Sequence, residues 1–325
     1  MEHQLTLRAV MLLLISALMI PPLCRAQTYP TKPVRVVAPY PPGSSADVIG
    51  RIYAPKLTEI LGRQFIVDNR PGAAGNIAGE LVARANPDGY TLLLLNTPLA
   101  SSQSLYKDLK YDVGRDFRPA AMLGIAAYLL VVNASSPAST MKELIALAKA
   151  NPGKLTYAST GTGGGLHLTM ELFKTQTGTN MLHVPYKGSS GTVPDLVGGR
   201  VDTMFGSIPA LLPHVRSGRI RALGVTSAKR SSVIPNIPTI AESGLPGFEA
   251  STWVSLAAPA ATPPAVATIL NAAANKSAQS QEVSKALANQ STDTMLLTPE
   301  QTAAFIRDEI VKWKKVAAAA GVQAE

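Results

Sequence analysis

VVAPYPPGSSAD (residues 36–47) and YASTGTGGGLH (residues 157–167) are the two stretches that decide the fold of this chain. Each runs from apolar residues typical of a buried strand, through a turn rich in glycine and hydroxyl groups, into the start of a helix. In open α/β sheets such turns lie at the carboxyl ends of strands, where ligands bind. Glycine lets the backbone approach a ligand, and a helix start offers unpaired N–H groups at the positive end of its dipole. Both stretches therefore predict a binding loop for a small anion.

Strand-like and helix-like stretches alternate along most of the chain. Strands are predicted at residues 34–40, 65–69, 90–96, 128–133, 155–160, 181–186, 202–207, 220–227 and 253–259. Helices are predicted at residues 47–61, 75–85, 140–150, 165–177, 189–197, 208–217 and 299–320. Because several strands are apolar on both faces, helices should cover both sides of the sheets. The pattern predicts an α/β fold of doubly wound, Rossmann-like sheets.

The length of 325 residues predicts two domains, since about 150 residues form an average one. We expect domain 1 to be discontinuous, with residues 27–125 and 251–325, and domain 2 to comprise residues 126–250. The chain contains no low-complexity linker, so strands that cross between the domains should join them.

Residues 1–26 have the pattern of a cleavable signal peptide. Arg8 precedes an apolar segment at residues 9–20, and CRA at residues 24–26 fits a cleavage site. The segment is too short to span a membrane, which needs about 20 apolar residues. The predicted location is the periplasm, with lipid anchoring through Cys24 as the alternative. Because Cys24 is the only cysteine, cleavage after Ala26 would remove every thiol.

Composition excludes several classes of function. The chain is 46% hydrophobic, which excludes disorder as a description of the whole chain. The net charge of +9 comes from scattered basic residues, so we do not predict nucleic-acid binding. Dinucleotide, Walker, H-E-x-x-H and nucleophile-elbow motifs are absent from the sequence. His167, His183 and His214 lack the spacing of metal ligands. We predict no metal, no cofactor and no catalytic residue.

A series of motifs resembles the substrate-binding proteins of tripartite tricarboxylate transporters, the Bug family. The motifs are YPTKPVR (29–35), the loop at 39–47, NRPGAAGNI (69–77), ANPDGYTL (85–92), the loop at 159–165, VPYKG (184–188), GGRVD (198–202), GRIRALGVT (218–226), IPT (237–239) and ESG (242–244). The resemblance implies a periplasmic-binding-protein architecture (type II) in which two domains close on a ligand like a flytrap. It further implies that the ligand is a small carboxylate, often a dicarboxylate, which is delivered to a tripartite tricarboxylate-type membrane permease. A receptor that must close freely is expected to be a monomer.

The resemblance also implies a set of ligand-binding positions. They are Tyr40, Gly43, Ser44, Ser45 and Ala46 in the first loop, Asn96 and Thr97 after the third strand, Thr160, Gly161, Thr162, Gly163, Gly164 and His167 around the second loop, and Tyr186, Lys187, Asp202 and Phe205 in the second domain. Structural roles are the alternatives at several of them: helix capping by Ser44, Ser45 and Asp47, packing of Tyr40, His167 or Phe205, an exposed Lys187 and a turn carboxylate at Asp202.

The leading hypothesis is a periplasmic receptor for an organic acid, without catalysis. The acid could be aliphatic, aromatic or an amino acid. One alternative is a ligand sensor that feeds a membrane signalling partner, and a less favoured one is a periplasmic hydrolase.

Overall fold

A computed structural model describes residues 29–106, 108–186 and 188–322. The predicted signal peptide at residues 1–26 and the predicted ligand-binding residue Lys187 lie outside these ranges. Among the described helices, none has both the length and the apolar character needed to cross a membrane.

Strands and helices alternate along the described chain. The strands are β1 (Val34–Ala38), β2 (Phe65–Asn69), β3 (Thr91–Asn96), β4 (Phe117–Asn133), β5 (Thr156–Ser159), β6 (Leu182–Pro185), β7 (Thr203–Ser207), β8 (Ile220–Val225) and β9 (Ser251–Pro259). The α-helices are α1 (Ser45–Leu61), α2 (Asn76–Ala83), α3 (Thr97–Leu105), α4 (Val113–Asp116), α5 (Met141–Ala150), α6 (Gly165–Thr177), α7 (Ser189–Val197), α8 (Ile208–Arg216), α9 (Pro264–Ala278), α10 (Gln281–Asn289) and α11 (Pro299–Ala320). Each predicted strand and helix corresponds to one of these elements, whereas α3, α4, α9 and α10 had no predicted range.

The strands form one continuous sheet in the order β2-β1-β3-β9-β4-β7-β5-β6, with β8 also paired to β4. Pairs among β1, β2 and β3, and among β5, β6 and β7, are parallel. Pairs that involve β4 or β9 are antiparallel, so the sheet is mixed. Neighbouring residues on a strand, such as Val36 and Val37, are both buried but belong to different hydrophobic cores. Both faces of the sheet are therefore covered, which confirms the predicted α/β class.

Strand β4 divides the sheet into two halves. Up to Ala127 it pairs with β9, and from Tyr128 it pairs with β7 and β8. We call β2, β1, β3, β9 and the beginning of β4 the first half-sheet, and the remaining strands with the end of β4 the second half-sheet. The sequence predicted this strand only from Tyr128. Its beginning contains Pro119 and Gly124, which are disfavoured inside strands and therefore argued against a strand there. Both lie where the pairing register shifts.

Thr226 forms hydrogen bonds to both chain segments that pass between the half-sheets. Its hydroxyl accepts a hydrogen bond from the Tyr128 N–H at 2.8 Å and donates one to the Ala250 carbonyl at 2.6 Å. Tyr128 lies on the outgoing strand β4, and Ala250 directly precedes the returning strand β9. These contacts agree with crossing strands between two domains. The domain limits at residues 125/126 and 250/251 stay a prediction.

Helix α11 packs against both halves of the molecule. Ile306 belongs to a core of the first half-sheet, together with Leu93 and Leu95 of β3. Two turns later, Trp313 belongs to the core that holds Tyr157 and Phe205 of the second half-sheet. The last helix therefore spans the junction between the half-sheets rather than lying on one of them.

Candidate functional site

A cavity of about 740 Å³ lies between the half-sheets and contains both predicted anion loops in its wall. The lining residues that the sequence predicted are Tyr40, Gly43, Ser44 and Ser45 after β1, and Thr160, Gly161, Thr162, Gly163 and Gly164 after β5. The two loops are more than 110 positions apart in sequence but line one cavity. The arrangement places the starts of two helices, α1 and α6, at a single site.

The first loop is held in shape by Asp47, which is 2% exposed. Its carboxylate accepts hydrogen bonds at 2.9 Å from the N–H of Gly43, from Asn69 and from Arg51. Burial by itself would raise the pKa of Asp47, but these hydrogen bonds and the Arg51 charge outweigh it, so the pKa is lowered. The side chain therefore stays ionised, yet its charge is already neutralised by partners behind the loop.

Free N–H groups remain at the start of α1. The Ser44 hydroxyl accepts from the Asp47 N–H at 3.4 Å, which caps the helix as the structural alternative predicted. Within the described residues, no hydrogen bond engages the N–H groups of Ser45 or Ala46. The first turn of α1 thus retains two free donors, and one of these residues, Ser45, lines the cavity.

The second loop depends on two glycines in the left-handed region. Gly161 has φ +145° and Gly163 has φ +75°, values that disfavour other residues. The Gly163 N–H donates to Nδ1 of His167 at 2.9 Å. Helix α6 follows with Gly164 at its cap and no side-chain cap hydrogen bond. Gly165 and Leu166, its first residues, line the cavity, so this helix start also faces the site with uncapped N–H groups.

A third helix start reaches the same cavity, and the sequence analysis missed it as part of the site. Helix α8 begins directly after β7, and Ser207 at its cap makes no side-chain cap hydrogen bond. Ser207, Ile208, Pro209 and Ala210 line the cavity. The signal was present as a predicted strand followed at once by a predicted helix, but this junction contains no glycine loop to mark it.

The remaining wall is mostly apolar, with a few hydroxyl groups. Apolar side chains include Val48, Leu105, Met204 and Leu211, and hydroxyls come from Tyr40, Ser102, Tyr106, Tyr128 and Thr252. Burial raises the pKa of Tyr128 to about 12, and it also raises that of Tyr40, so both phenols stay protonated. Within the described residues, the lining includes no Asp, Glu, Lys, Arg or His. Backbone groups, hydroxyls and the carboxamide of Gln290 therefore supply its polarity.

Three of the predicted residues stand behind the wall rather than in it. The Asn96 side chain accepts from the Leu99 N–H at 3.3 Å and caps α3, whose Pro98, Ser102 and Leu105 line the cavity. The Thr97 hydroxyl accepts from the Trp253 N–H at 3.0 Å and ties α3 to β9. His167 is 5% exposed and holds the second loop through Gly163. These three side chains bond to elements of the wall without lining the cavity themselves.

Four other predicted residues do not line the cavity: Ala46, Tyr186, Asp202 and Phe205. Ala46 is buried in a core of the first half-sheet. The Tyr186 hydroxyl donates to Asp195 at 2.5 Å, while the Asp202 carboxylate accepts from the N–H and the hydroxyl of Thr156 at 2.7 and 2.8 Å. Asp202 is thus bonded to Thr156 at the start of β5 rather than placed in the wall of the cavity.

Phe205 packs in the core because of strand alternation. Its ring lies 6.1 Å from that of Phe173 and 6.3 Å from that of Phe248. Its neighbours on β7, Met204 and Gly206, line the cavity instead. Successive side chains of a strand point to opposite faces, so the cavity receives the residues on either side of Phe205.

Ser159 and His183 form a hydrogen bond that superficially resembles part of a hydrolase site. Ser159 Oγ lies 2.7 Å from His183 Nε2. Ser159 is fully buried, however, and its hydroxyl also accepts from the Gly161 N–H at 3.3 Å. A hydroxyl buried in this way shapes the loop and is not presented to a substrate.

The segment after α10 also contributes to the wall, which the sequence did not predict. Gln290, Ser291 and Thr292 line the cavity, and Ser291 has φ +50°.

Among the described residues, no group of three His, Cys, Asp or Glu side chains is placed to hold a metal ion.

Known proteins share this sequence and fold over nearly their whole length. The family model described as "Tripartite tricarboxylate transporter family receptor" matches residues 49–322. Protein BugT of Bordetella pertussis (strain Tohama I) is 41% identical over 300 residues, which cover 92% of both chains. The structure of R. palustris Rpa4515 with adipate has a TM-score of 0.79 and 36% identity, and the match covers 91% of this chain and 99% of the other. MatC from Rhodopseudomonas palustris with bound malate has a TM-score of 0.76 and 28% identity, over 89% and 99% of the two chains.

These matches confirm the resemblance stated from the motifs and the flytrap architecture that it implied. They also confirm a receptor rather than an enzyme, in agreement with the absence of a nucleophile motif. The chain belongs to the tripartite tricarboxylate transporter receptor family of periplasmic solute-binding proteins.

Proposed function

We propose that this receptor captures a small organic acid, most readily a dicarboxylate, between the two half-sheets and delivers it to a tripartite tricarboxylate-type permease. The observation that carries the proposal is the convergence of the uncapped or partly capped starts of α1, α6 and α8 on one cavity. The solved relatives with adipate and malate support an acid of this size.

Backbone donors can supply the affinity that such a receptor needs. A hydrogen bond to a charged group contributes about 1.5–3 kcal/mol net. Three such bonds, from the N–H groups of the lining residues Ser45, Gly165 and Leu166, would total roughly 4.5–9 kcal/mol. A micromolar site requires about 8 kcal/mol. The donors at two helix starts therefore offer an acid with two charged ends a binding free energy of the order that a micromolar site needs.

The composition of the wall favours acids without an amino group. An ammonium group buried in this cavity would need a carboxylate partner, and the described lining has none. Asp47, the nearest acidic side chain of the first loop, is already bonded to Gly43, Asn69 and Arg51. The apolar side chains suit a hydrocarbon chain or ring between the carboxylates. We therefore place aliphatic and aromatic acids ahead of amino acids.

A ligand panel tests this proposal directly. Residues 27–325 are purified and screened by thermal shift with mono-, di- and tricarboxylates, each beside its uncharged amide and its 2-amino derivative, and hits are titrated by calorimetry. A ligand at 100 times its Kd stabilises the folded state by about 2.7 kcal/mol, which corresponds to a shift of about 5 °C. We expect such a shift with at least one dicarboxylate and none with its diamide. If no acid in the panel shifts the transition, the proposal is refuted.

The remaining parts of the proposal concern export, partner and assembly. A signal peptide at residues 1–26 would take the chain to the periplasm, and the mature receptor would act as a monomer. Deletion of the gene for this receptor should abolish uptake of the labelled acid found in the panel, and a plasmid-borne copy of the gene should restore uptake. Normal uptake combined with loss of a transcriptional response to the acid would point to the sensor instead. Sedimentation velocity of the purified protein tests the monomer.

A further inference from the structure

A cluster of polar aromatic side chains lies directly behind the second loop. The imidazoles of His167 on α6 and His183 on β6 stack with ring centroids 3.9 Å apart and an interplanar angle of 7°. The Tyr157 ring of β5 lies 4.8 Å from His183 and 6.2 Å from His167. None of the three residues lines the cavity, so the cluster has no direct role in the ligand site.

Both left-handed glycines of the loop are connected to this pair of histidines. The Gly163 N–H donates to His167 Nδ1 at 2.9 Å. The Gly161 N–H donates to Ser159 Oγ at 3.3 Å, and that hydroxyl is bonded to His183 Nε2 at 2.7 Å. One glycine is therefore held by an imidazole directly and the other through a buried serine.

The contact to Gly163 requires a neutral His167 with its proton on Nε2, because Nδ1 must accept. Its Nε2 faces the Glu171 carboxylate, 3.8 Å from Oε1. Glu171 also accepts from the Tyr157 hydroxyl and from Lys174 Nζ, the latter at 2.7 Å. Burial lowers the pKa of His167, and the Lys174 charge adds to this, although Glu171 acts in the opposite direction. For His183, burial and the neighbouring His167 lower the pKa to about 4.

We propose that His167 is a positioning residue of the ligand site: its neutral Nδ1 takes the N–H of Gly163, and this turns the loop so that the first N–H groups of α6 face the cavity. The inference rests on the proposed function, since it assigns to His167 the shape of one anion loop. Without the imidazole acceptor, the Gly163 N–H would lose the hydrogen-bond partner that it has among the described residues, and the loop would no longer be fixed at a single conformation.

Two substitutions at the same position separate the acceptor from mere bulk. In His167→Asn, the amide oxygen occupies about the place of Nδ1 and can still accept from Gly163. In His167→Leu, the side chain fills the space but offers no acceptor. Phe173→Leu is the matched control, because Phe173 is buried on the same helix and packs on Phe205 and Phe248, away from the loop. It should lower thermal stability while leaving the loop intact.

The first measurement is amide hydrogen exchange at Gly163 in the ligand-free protein, which does not depend on the proposed function. We expect exchange to accelerate by about tenfold or more in His167→Leu and to stay near the wild-type rate in His167→Asn and Phe173→Leu. The second is the Kd of the best acid from the ligand panel. We expect it to rise about tenfold or more in His167→Leu and to stay within about threefold of wild type in His167→Asn.

Each outcome decides one claim. Unchanged exchange and unchanged Kd in His167→Leu would overturn the positioning role, even if the wild type binds acids well. Equal weakening in His167→Asn and His167→Leu would also overturn it, because bulk or stacking would then be the cause. If the wild type binds no acid, the proposed function fails, while exchange at Gly163 still decides whether His167 holds the loop.

Discussion

Gly163 brings the second loop into contact with the opposite side of the cavity, and adding one carbon there should separate the two walls. A Cβ built at Gly163 would lie 2.6 Å from Cδ1 of Leu105, the last residue of α3. Helix α3 follows β3 of the first half-sheet, whereas Gly163 follows β5 of the second. The clash therefore acts between the half-sheets, at the site where an acid would bridge them.

Gly178 provides the matched comparison for this substitution. It caps the other end of α6 with φ +63°, and nothing lies within 4 Å of its added Cβ. Both Gly163→Ala and Gly178→Ala force a left-handed alanine, which costs about 1–2 kcal/mol. Only Gly163→Ala also displaces Leu105 from its packed rotamer, at a further cost of about 1–3 kcal/mol. If the loops must separate to relieve that clash, the Kd should rise by roughly 5- to 150-fold.

The assay is a double-mutant cycle with Leu105→Val, read by calorimetry and by urea denaturation. Valine lacks both Cδ atoms of Leu105, including the Cδ1 that lies 2.6 Å from the new Cβ. We expect Gly163→Ala/Leu105→Val to recover at least half of the lost binding free energy, while Gly178→Ala keeps the wild-type Kd. An unchanged Kd in Gly163→Ala would refute the reasoning. A loss of affinity that Leu105→Val does not relieve would show that backbone strain, and not the contact across the cavity, is responsible.

Three further substitutions test the first loop and the junction. Ser45→Pro removes one N–H at the first position of α1, where proline is compatible with a helix, so the Kd should rise about tenfold or more with an unchanged Tm; a wild-type Kd would exclude this N–H as a ligand. The pKa of Asp47 is lower in the folded than in the unfolded protein. Ionised Asp47 therefore stabilises the folded state at a pH above the unfolded-state pKa, and this stabilisation is lost as the pH falls through the folded-state pKa. Asp47→Asn should therefore be less stable than wild type at pH 7, and the difference should shrink below about pH 4; a pH-independent difference would contradict this. Glu309→Ala leaves the buried indole N–H groups of Trp253 and Trp313 without their shared acceptor at 3.0 and 2.9 Å, so urea denaturation should show a loss of about 3 kcal/mol.

The loops could be predicted from the sequence because their determinants are local. A buried strand, a glycine turn and a helix start follow one another within a dozen residues, and the backbone preferences of glycine and the capping preference of serine apply wherever these residues occur. Ser44 caps α1 as its residue type suggests. The rule that ligands bind at carboxyl ends of strands marks each loop as a candidate binding loop, and the structure places both in the wall of one cavity.

The other parts of the site depend on information that is not local. Phe205 was expected in the pocket, but which face of β7 meets the cavity depends on the register with β4, and the register assigns Met204 and Gly206 to it. Ser291 reaches the wall only because the loop after α10 folds back onto β4 at Ile125 and Asp293. The link from His167 to Gly163 joins residues four apart in the sequence, yet its function is apparent only once the loop geometry is known.

Helix α11 has a consequence for how the whole molecule melts. Ile306 contributes to a core of the first half-sheet and Trp313 to a core of the second, while Glu309 between them accepts hydrogen bonds from Trp313 and from Trp253 of β9. Unfolding of either half would remove the contacts of α11 with that half and so disturb its packing on the other half. We therefore expect the two halves to unfold as a single cooperative unit, so that a ligand bound between them would raise the free energy of unfolding of both halves.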